Sequence, residues 1–160
     1  MNNKQRSLTI EQLVYTYSDT IYRIAITSLK SKADAEDIVQ TVLIKYLESN
    51  VAFESEEHQK AWLIRVALNE CNNYYRSSWI KKVVPLMEWQ DGVVQAHEIN
   101  HVHKEVLSLP QKYKIPIHLH YFEGYSIKEI ASILATKEST IKTWLSRGRE
   151  QLKVKMEGEC

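Results

Sequence analysis

The chain of 160 residues has little of what marks the more specialised architectures. Its two cysteines, Cys71 and Cys160, are too few for a disulfide framework or a Cys-x-x-Cys metal site, and they suit a reducing cytoplasm. Four glycines and three prolines argue against a turn-rich β-sandwich and against a Gly-rich loop that cradles phosphate. Uncharged apolar runs are only a few residues long, so no membrane span is expected. No apolar stretch follows the basic start Met-Asn-Asn-Lys-Gln-Arg, so no signal peptide is expected either. Six histidines are present, with His97 and His101 four residues apart and His103, His118 and His120 near in sequence. No cysteine or acid completes a ligand spacing around them, so neither metal nor cofactor is expected. The chain offers no nucleophile–base–acid set and no His-Glu-x-x-His, and it reads as a non-enzyme.

What is present is a globular composition, 44% hydrophobic and 26% charged, with charge segregated along the chain. The net charge of +1 hides a balance of −6 over residues 34–57, +4 over 60–82, −3 over 83–109 and +3 over 126–157. Two basic stretches between acidic ones suit two contacts with a polyanion, although ordinary solvated helix surfaces carry such charges too.

The apolar periodicity is helical almost throughout. Ile10, Leu13, Val14, Tyr17, Ile21, Ile24 and Ala25 recur at three- and four-residue steps, and Ala35, Ile38, Val39, Val42, Leu43, Tyr46 and Leu47 repeat the pattern. Ser31 or Asp34 can cap the second helix. A third helix is predicted from about Glu56 to Arg76, with Ala61, Ile64, Leu68, Cys71 and Tyr75 as its apolar stripe. The pattern then fails, and Pro85 and Gly92 mark residues 81–97 as a linker. Helical pattern resumes near Glu98. Pro110 ends one helix and opens the next, Pro116 should kink that one, and Gly124 ends it. Ser126 and Glu129 form a capping box for a short helix, and a break at Ala135-Thr136 leads to a last helix over about Lys137–Met156 that buries Ile141, Leu145, Gly148 and Leu152. The expected fold is all-α: helical domains at 1–80 and 98–160 joined by the linker.

Three constellations could carry function. Residues 126–150 follow the helix-turn-helix plan. Short polar side chains near the start of the second helix would meet base edges, and cations further along would meet phosphates. Glu138, Ser139, Thr140, Lys142, Thr143, Ser146 and Arg147 lie opposite Ile141 and Leu145. The plain alternative is a solvated antiparallel helix pair. The second constellation, Trp62 to Lys82, interleaves aromatics, amides and bases, as unpaired bases require for stacking, edge contacts and phosphate neutralisation. Aromatics at helical spacing are, however, more often core. The third is the outer face of the second helix, where Asp37, Gln40, Thr41 and Glu48 surround Ile44. An apolar residue there can mark a protein-binding surface, though a single exposed isoleucine is also commonplace.

These residues also carry a resemblance. Asp34-Ala35-Glu36-Asp37-Ile38-Val39-Gln40, followed by Lys45-Tyr46-Leu47, resembles the polymerase-binding helix of extracytoplasmic-function sigma factors, a group of the bacterial sigma-70 family. Ala61-Trp62-Leu63-Ile64-Arg65-Val66-Ala67-Leu68-Asn69 with Tyr74-Tyr75-Arg76 is similar to that family's promoter-melting segment. Leu109-Pro110-Gln111-Lys112-Tyr113, Tyr121-Phe122-Glu123-Gly124-Tyr125-Ser126, Glu129-Ile130-Ala131 and Thr140-Ile141-Lys142 resemble its second domain. The resemblance implies a cytoplasmic, monomeric protein that binds core RNA polymerase and promoter DNA, and it admits an anti-sigma protein as a partner. It implies polymerase contact at Asp37, Gln40, Thr41 and Ile44. It implies contact with the separated -10 strand at Arg65, Asn69, Asn73, Tyr75, Arg76, Trp79, Lys81 and Lys82, and reading of the -35 duplex by the helix of Lys142 and Arg147. Ala135 stands where the family usually has Gly, and Asn73, Lys137, Trp144 and Gly148 also depart from its usual residues. Thr136 could replace a capping Ser. The rival reading is a helix-turn-helix regulator with a helical sensor domain, which would dimerise on a palindromic site.

Overall fold

The computed structural model describes residues 10–80 and 101–157, with side chains described for 11–74 and 104–157. Every regular element among them is helical, and none is long and apolar enough to cross a membrane. The chain divides into two units, each built around its own apolar core.

In the first unit, α1 (Ile10–Leu29), α2 (Lys32–Glu48) and α3 (Glu56–Ile80) pack on one another. Leu13, Tyr17, Ile21, Ile24 and Ala25 of α1 meet Ala35, Ile38, Val42 and Tyr46 of α2 and Leu63, Ile64, Ala67, Leu68 and Cys71 of α3. The turn between α1 and α2 depends on Lys30, which adopts a left-handed φ of 59° while its N–H bonds the Ile26 carbonyl at 2.9 Å, a helix-ending geometry. Ser31, and not Asp34, caps α2: its hydroxyl accepts from the Asp34 amide at 3.3 Å. Phe53, between α2 and α3, is buried in an aromatic cluster with Tyr46 and Trp62. The Tyr46 hydroxyl donates to Oε1 of the buried Gln59 at 3.2 Å. Burial raises the Tyr17 hydroxyl above its ordinary pKa, with nearby Gln59 acting in the opposite direction.

Two positions depart from the expected stripes. Val14 and Leu47, expected on the apolar faces, are 40% and 51% exposed. The buried row of α2 is Ala35, Ile38, Val42 and Tyr46, and Val39, Leu43 and Leu47 form the neighbouring i,i+4 row, rotated by one residue. That row is half-buried at Val39 and Leu43 and emerges at Leu47. The third helix also runs four residues further than expected, to Ile80.

The second unit holds α4 (His101–Leu107), α5 (Gln111–Ile117), a π-helical turn (His118–Phe122), α6 (Ile127–Ile133) and α7 (Glu138–Glu157). Pro110 opens α5. Immediately after Pro116, which supplies no N–H and crowds the preceding turn, the helix widens into the π turn. The Glu123 N–H then reaches the His118 carbonyl at 3.1 Å. Gly124, at φ +78°, ends it. Ser126 and Glu129 make the reciprocal capping box, whose Ser126 N–H and hydroxyl hold the Glu129 carboxyl below the usual range. Ile130, Ile133, Ile141 and Leu145 close the core. At Gly148 a Cβ would stand 3.0 Å from Ile117 Cγ1, so the missing side chain lets α7 lie close on α5. Leu152, expected inside, is only half-buried.

The turn before α7 is made by Ala135 at φ 52°, the left-handed conformation glycine adopts freely. Thr136 does not take the expected capping role: its hydroxyl donates to the Leu134 carbonyl at 3.0 Å. Ala135→Gly is therefore expected to stabilise the chain by about 0.5–1 kcal/mol, the relief of left-handed strain less the greater freedom of Gly when unfolded. Thermal denaturation checks this as a rise in Tm. The expected linker at 81–97 lies outside the described residues.

Candidate protein and nucleic-acid interfaces

The outer face of α2 is a continuous stripe. Asp37, Gln40 and Ile44 are exposed and Thr41 is half-buried between them, as a three- and four-residue spacing requires. Ile44 is 53% exposed, and Leu47, one step further, extends the apolar part of the stripe that the sequence pattern confined to Ile44. Asp34, Glu36 and Asp37 surround the N-terminal end of α2, where the helix dipole favours carboxylates. A surface with acids at one end and exposed aliphatics at the other repels phosphates and suits a protein partner.

Along α3, Arg65, Asn69 and Asn73 repeat every fourth residue and are all exposed, a row of one cation and two amides. The helix continues through Tyr75, Arg76 and Trp79, whose side chains lie outside the described set. Lys81 and Lys82 lie outside it altogether. Trp62, at the start of the aromatic constellation, is half-buried, and its ring packs edge-on to the buried Tyr46 and Phe53 at 6.1 and 5.6 Å. Tyr74 is half-buried. Burial first, then the neighbouring carboxylates of Asp34 and Asp37, push its hydroxyl up to about 12, so it stays protonated.

On α7, Glu138, Ser139, Lys142, Thr143, Ser146 and Arg147 are exposed and Thr140 is half-buried, opposite the buried Ile141 and Leu145. The short α6, the Ala135 turn and this helix form the helix-turn-helix. The Thr143 hydroxyl donates to the Ser139 carbonyl at 3.0 Å, so Thr143 offers a groove its methyl and an acceptor. Arg149 bonds the Tyr121 hydroxyl at 3.0 Å.

Among the described residues of this unit, His118 and His120 have structural partners. His118 Nε2 lies 2.9 Å from Glu123 Oε2, both side chains buried to 1–2% exposure, and the ring stacks on Phe122 at 5.4 Å. The pair spans the π turn five residues apart. His120 Nδ1 donates to the Tyr125 carbonyl at 2.7 Å. Neither pairing has a signal in the sequence, because the i,i+5 meeting depends on the π geometry.

Residues 13–80 match the family model described as Sigma-70 region 2, and residues 100–152 match that of Sigma-70, region 4. Among characterised relatives, the ECF RNA polymerase sigma factor SigW of Bacillus subtilis (strain 168) is 29% identical over 159 residues, covering 88% of this chain and 85% of that protein. SigX of the same organism is 27% identical over 161 residues, covering 91% and 83%. SigM of that organism is 29% identical over 160 residues, covering 91% and 94%. Two solved structures share the fold. The sigma factor RpoE, crystallised with the anti-sigma factor NepR from Bartonella quintana, has a TM-score of 0.70 at 24% identity, with 92% of this chain and 96% of that one covered. CnrH, in complex with the cytosolic domain of CnrY, has a TM-score of 0.69 at 19% identity, with 94% and 89% covered.

Proposed function

The chain belongs to the extracytoplasmic-function group of the sigma-70 family, and from that premise we infer that it binds core RNA polymerase and directs promoter-specific initiation through -10 and -35 elements. The observation that carries this reading is the presence, in order on one chain, of regions 2 and 4 with surfaces of different chemistry. Region 2 presents the acidic and aliphatic face of α2 beside the amide and cation row of α3, and region 4 presents a helix-turn-helix. In this reading residues 1–80 form the polymerase and -10 domain, 81–97 the linker and 98–160 the -35 domain.

Asp37, Gln40, Thr41 and Ile44 face the polymerase. Arg65, Asn69 and Asn73, continued by Tyr75, Arg76, Trp79, Lys81 and Lys82, engage the separated -10 strand, because amides and aromatics suit unpaired bases. Glu138, Ser139, Thr140, Lys142, Thr143, Ser146 and Arg147 read the -35 duplex. Glu138 is acidic where phosphates would be repelled, and its useful contact is a donor such as the cytosine amino group. The protein works by binding alone, as a monomer in the cytoplasm where polymerase acts, and an anti-sigma protein that covers these faces would silence it.

In vitro transcription with purified core polymerase, with and without this protein, tests the reading: promoter-specific transcripts appear only with it, and their absence overturns it. Lys142→Ala and Arg147→Ala should each weaken binding to a -35 duplex and reduce the slope of log affinity against log salt by about 1. Fluorescence anisotropy titrations at several salt concentrations measure both.

A further inference from the structure

We propose that the ion pair between Lys45 of α2 and Glu70 of α3 is a charge mask: Lys45 cancels the one acid among residues 60–82, so that this basic stretch offers the -10 strand no uncompensated carboxylate. The proposal rests on the assignment of the α3 row to the separated strand, and it names a residue outside the row on which the row's affinity depends.

The pair joins two exceptions. Residues 34–57 hold seven acids and one base, Lys45. Residues 60–82 hold five bases and one acid, Glu70. The two lie 25 positions apart and meet where α2 packs on α3. On its own helix Lys45 has Glu48 three residues on, a spacing at which helical side chains meet, yet its amine bonds the Glu70 carboxylate.

The exposure of the partners favours masking over bracing. The Lys45 side chain is 50% exposed and that of Glu70 15%. A pair with one partner half in water adds little to folding. The carboxylate is sheltered, and salt screens a sheltered charge less than an exposed one. Glu70 directly follows Asn69 and lies three residues before Asn73, both exposed in the strand-facing row. Those helical spacings hold it within a Debye length of the row's side chains, about 10 Å at 0.1 M salt. Left unpaired, its charge would repel the phosphates of a strand held there. Lys45 removes that repulsion, and it does so from α2, beside Ile44 on the polymerase-facing helix.

Lys45→Gln, Glu70→Gln and the double variant are each assembled into holoenzyme with core polymerase. The probe is a fluorescent nontemplate-strand oligonucleotide spanning the -10 element of a promoter that the parent protein transcribes, and its binding is read by anisotropy at several salt concentrations. Lys45→Gln should lose about fivefold in affinity at low salt, the scale of one unit charge acting over a few ångströms near a protein surface, and the loss should shrink as salt rises. Glu70→Gln should bind at least as tightly as the parent. The double variant should return to within about twofold of it, because the two changes are coupled. Core affinity and circular dichroism should be unchanged in all three.

A bracing role would make both single variants bind weakly, with no recovery in the double. A direct contact of Lys45 with the strand would leave the double as weak as Lys45→Gln. Either pattern, a Lys45→Gln variant that binds like the parent, or one that loses core affinity overturns the proposal while leaving the -10 assignment standing. Parent holoenzyme that binds the oligonucleotide no more tightly than core alone overturns that assignment, and the proposal with it.

Discussion

Phe53→Ala should destabilise the first unit by about 3–5 kcal/mol, the usual cost of emptying a buried phenylalanine site. Phe53 is 2% exposed although it belongs to no helix. Its ring stacks on Tyr46 at 5.7 Å with the planes 1° apart, meets Trp62 edge-on at 5.6 Å and meets His58 at 5.5 Å. Truncation would leave a cavity bounded by rings that cannot collapse into it without leaving Gln59, which Tyr46 holds by hydrogen bond. A domain has only about 5–15 kcal/mol of stability in all, so α2 and α3 would lose most of their mutual support and both candidate faces of the unit with it. Urea unfolding followed by circular dichroism and tryptophan fluorescence measures the effect, and the two units should be fitted as separate transitions. Phe53→Leu keeps most of the volume and should cost under about 2 kcal/mol. A loss under about 1 kcal/mol for the alanine variant would mean that the cluster is not part of the unit's core.

Phe53 also shows where a sequence stops being readable. The helices carrying the candidate faces are legible because three- and four-residue spacing states both a helix and its inner side. Ile21, Ile38, Ile64, Ile141 and Leu145 are all buried where that spacing places them. A lone aromatic in a connection has no period, and Phe53 gives no such signal. The capping box at Ser126 and Glu129 is legible because it is local. The pairing of Lys45 with Glu70 joins residues 25 positions apart, and the pairing of His118 with Glu123 depends on a π turn that no apolar pattern announces. The exposure of Leu47 was hidden for another reason. The stripe on α2 is wide enough in sequence to include it, and only the ending of the row beyond Leu43 exposes it. The candidate sites are thus legible as faces, while the contacts that orient those faces depend on tertiary structure.

Ile44→Asp should lower affinity for core polymerase by tenfold or more while leaving the fold unchanged, at about 2 kcal/mol in binding. The side chain is 53% exposed in the middle of a stripe of Asp37, Gln40 and Thr41, so the free protein gains little from it. Exposed substitutions of this kind change stability by about 0.5 kcal/mol or less, and Ile and Asp have similar helix propensities. In a complex the situation reverses. An isoleucine buried against a partner contributes about 1.5–3 kcal/mol of apolar transfer, and an aspartate in its place must shed water without a partner for its charge. Leu47→Asp should have the same sign, since its 51% exposure continues the apolar patch, and Lys142→Ala should leave core affinity unchanged if α7 serves DNA alone. Competition between labelled parent protein and each variant for core polymerase gives the affinities, and circular dichroism with thermal melting gives the fold. If Ile44→Asp binds core as tightly as the parent, the residue is one of the scattered surface aliphatics every protein carries. The polymerase face would then have to be sought on another part of the first unit, where Val14 and the 90% exposed Tyr15 on α1 provide the next exposed apolar surface.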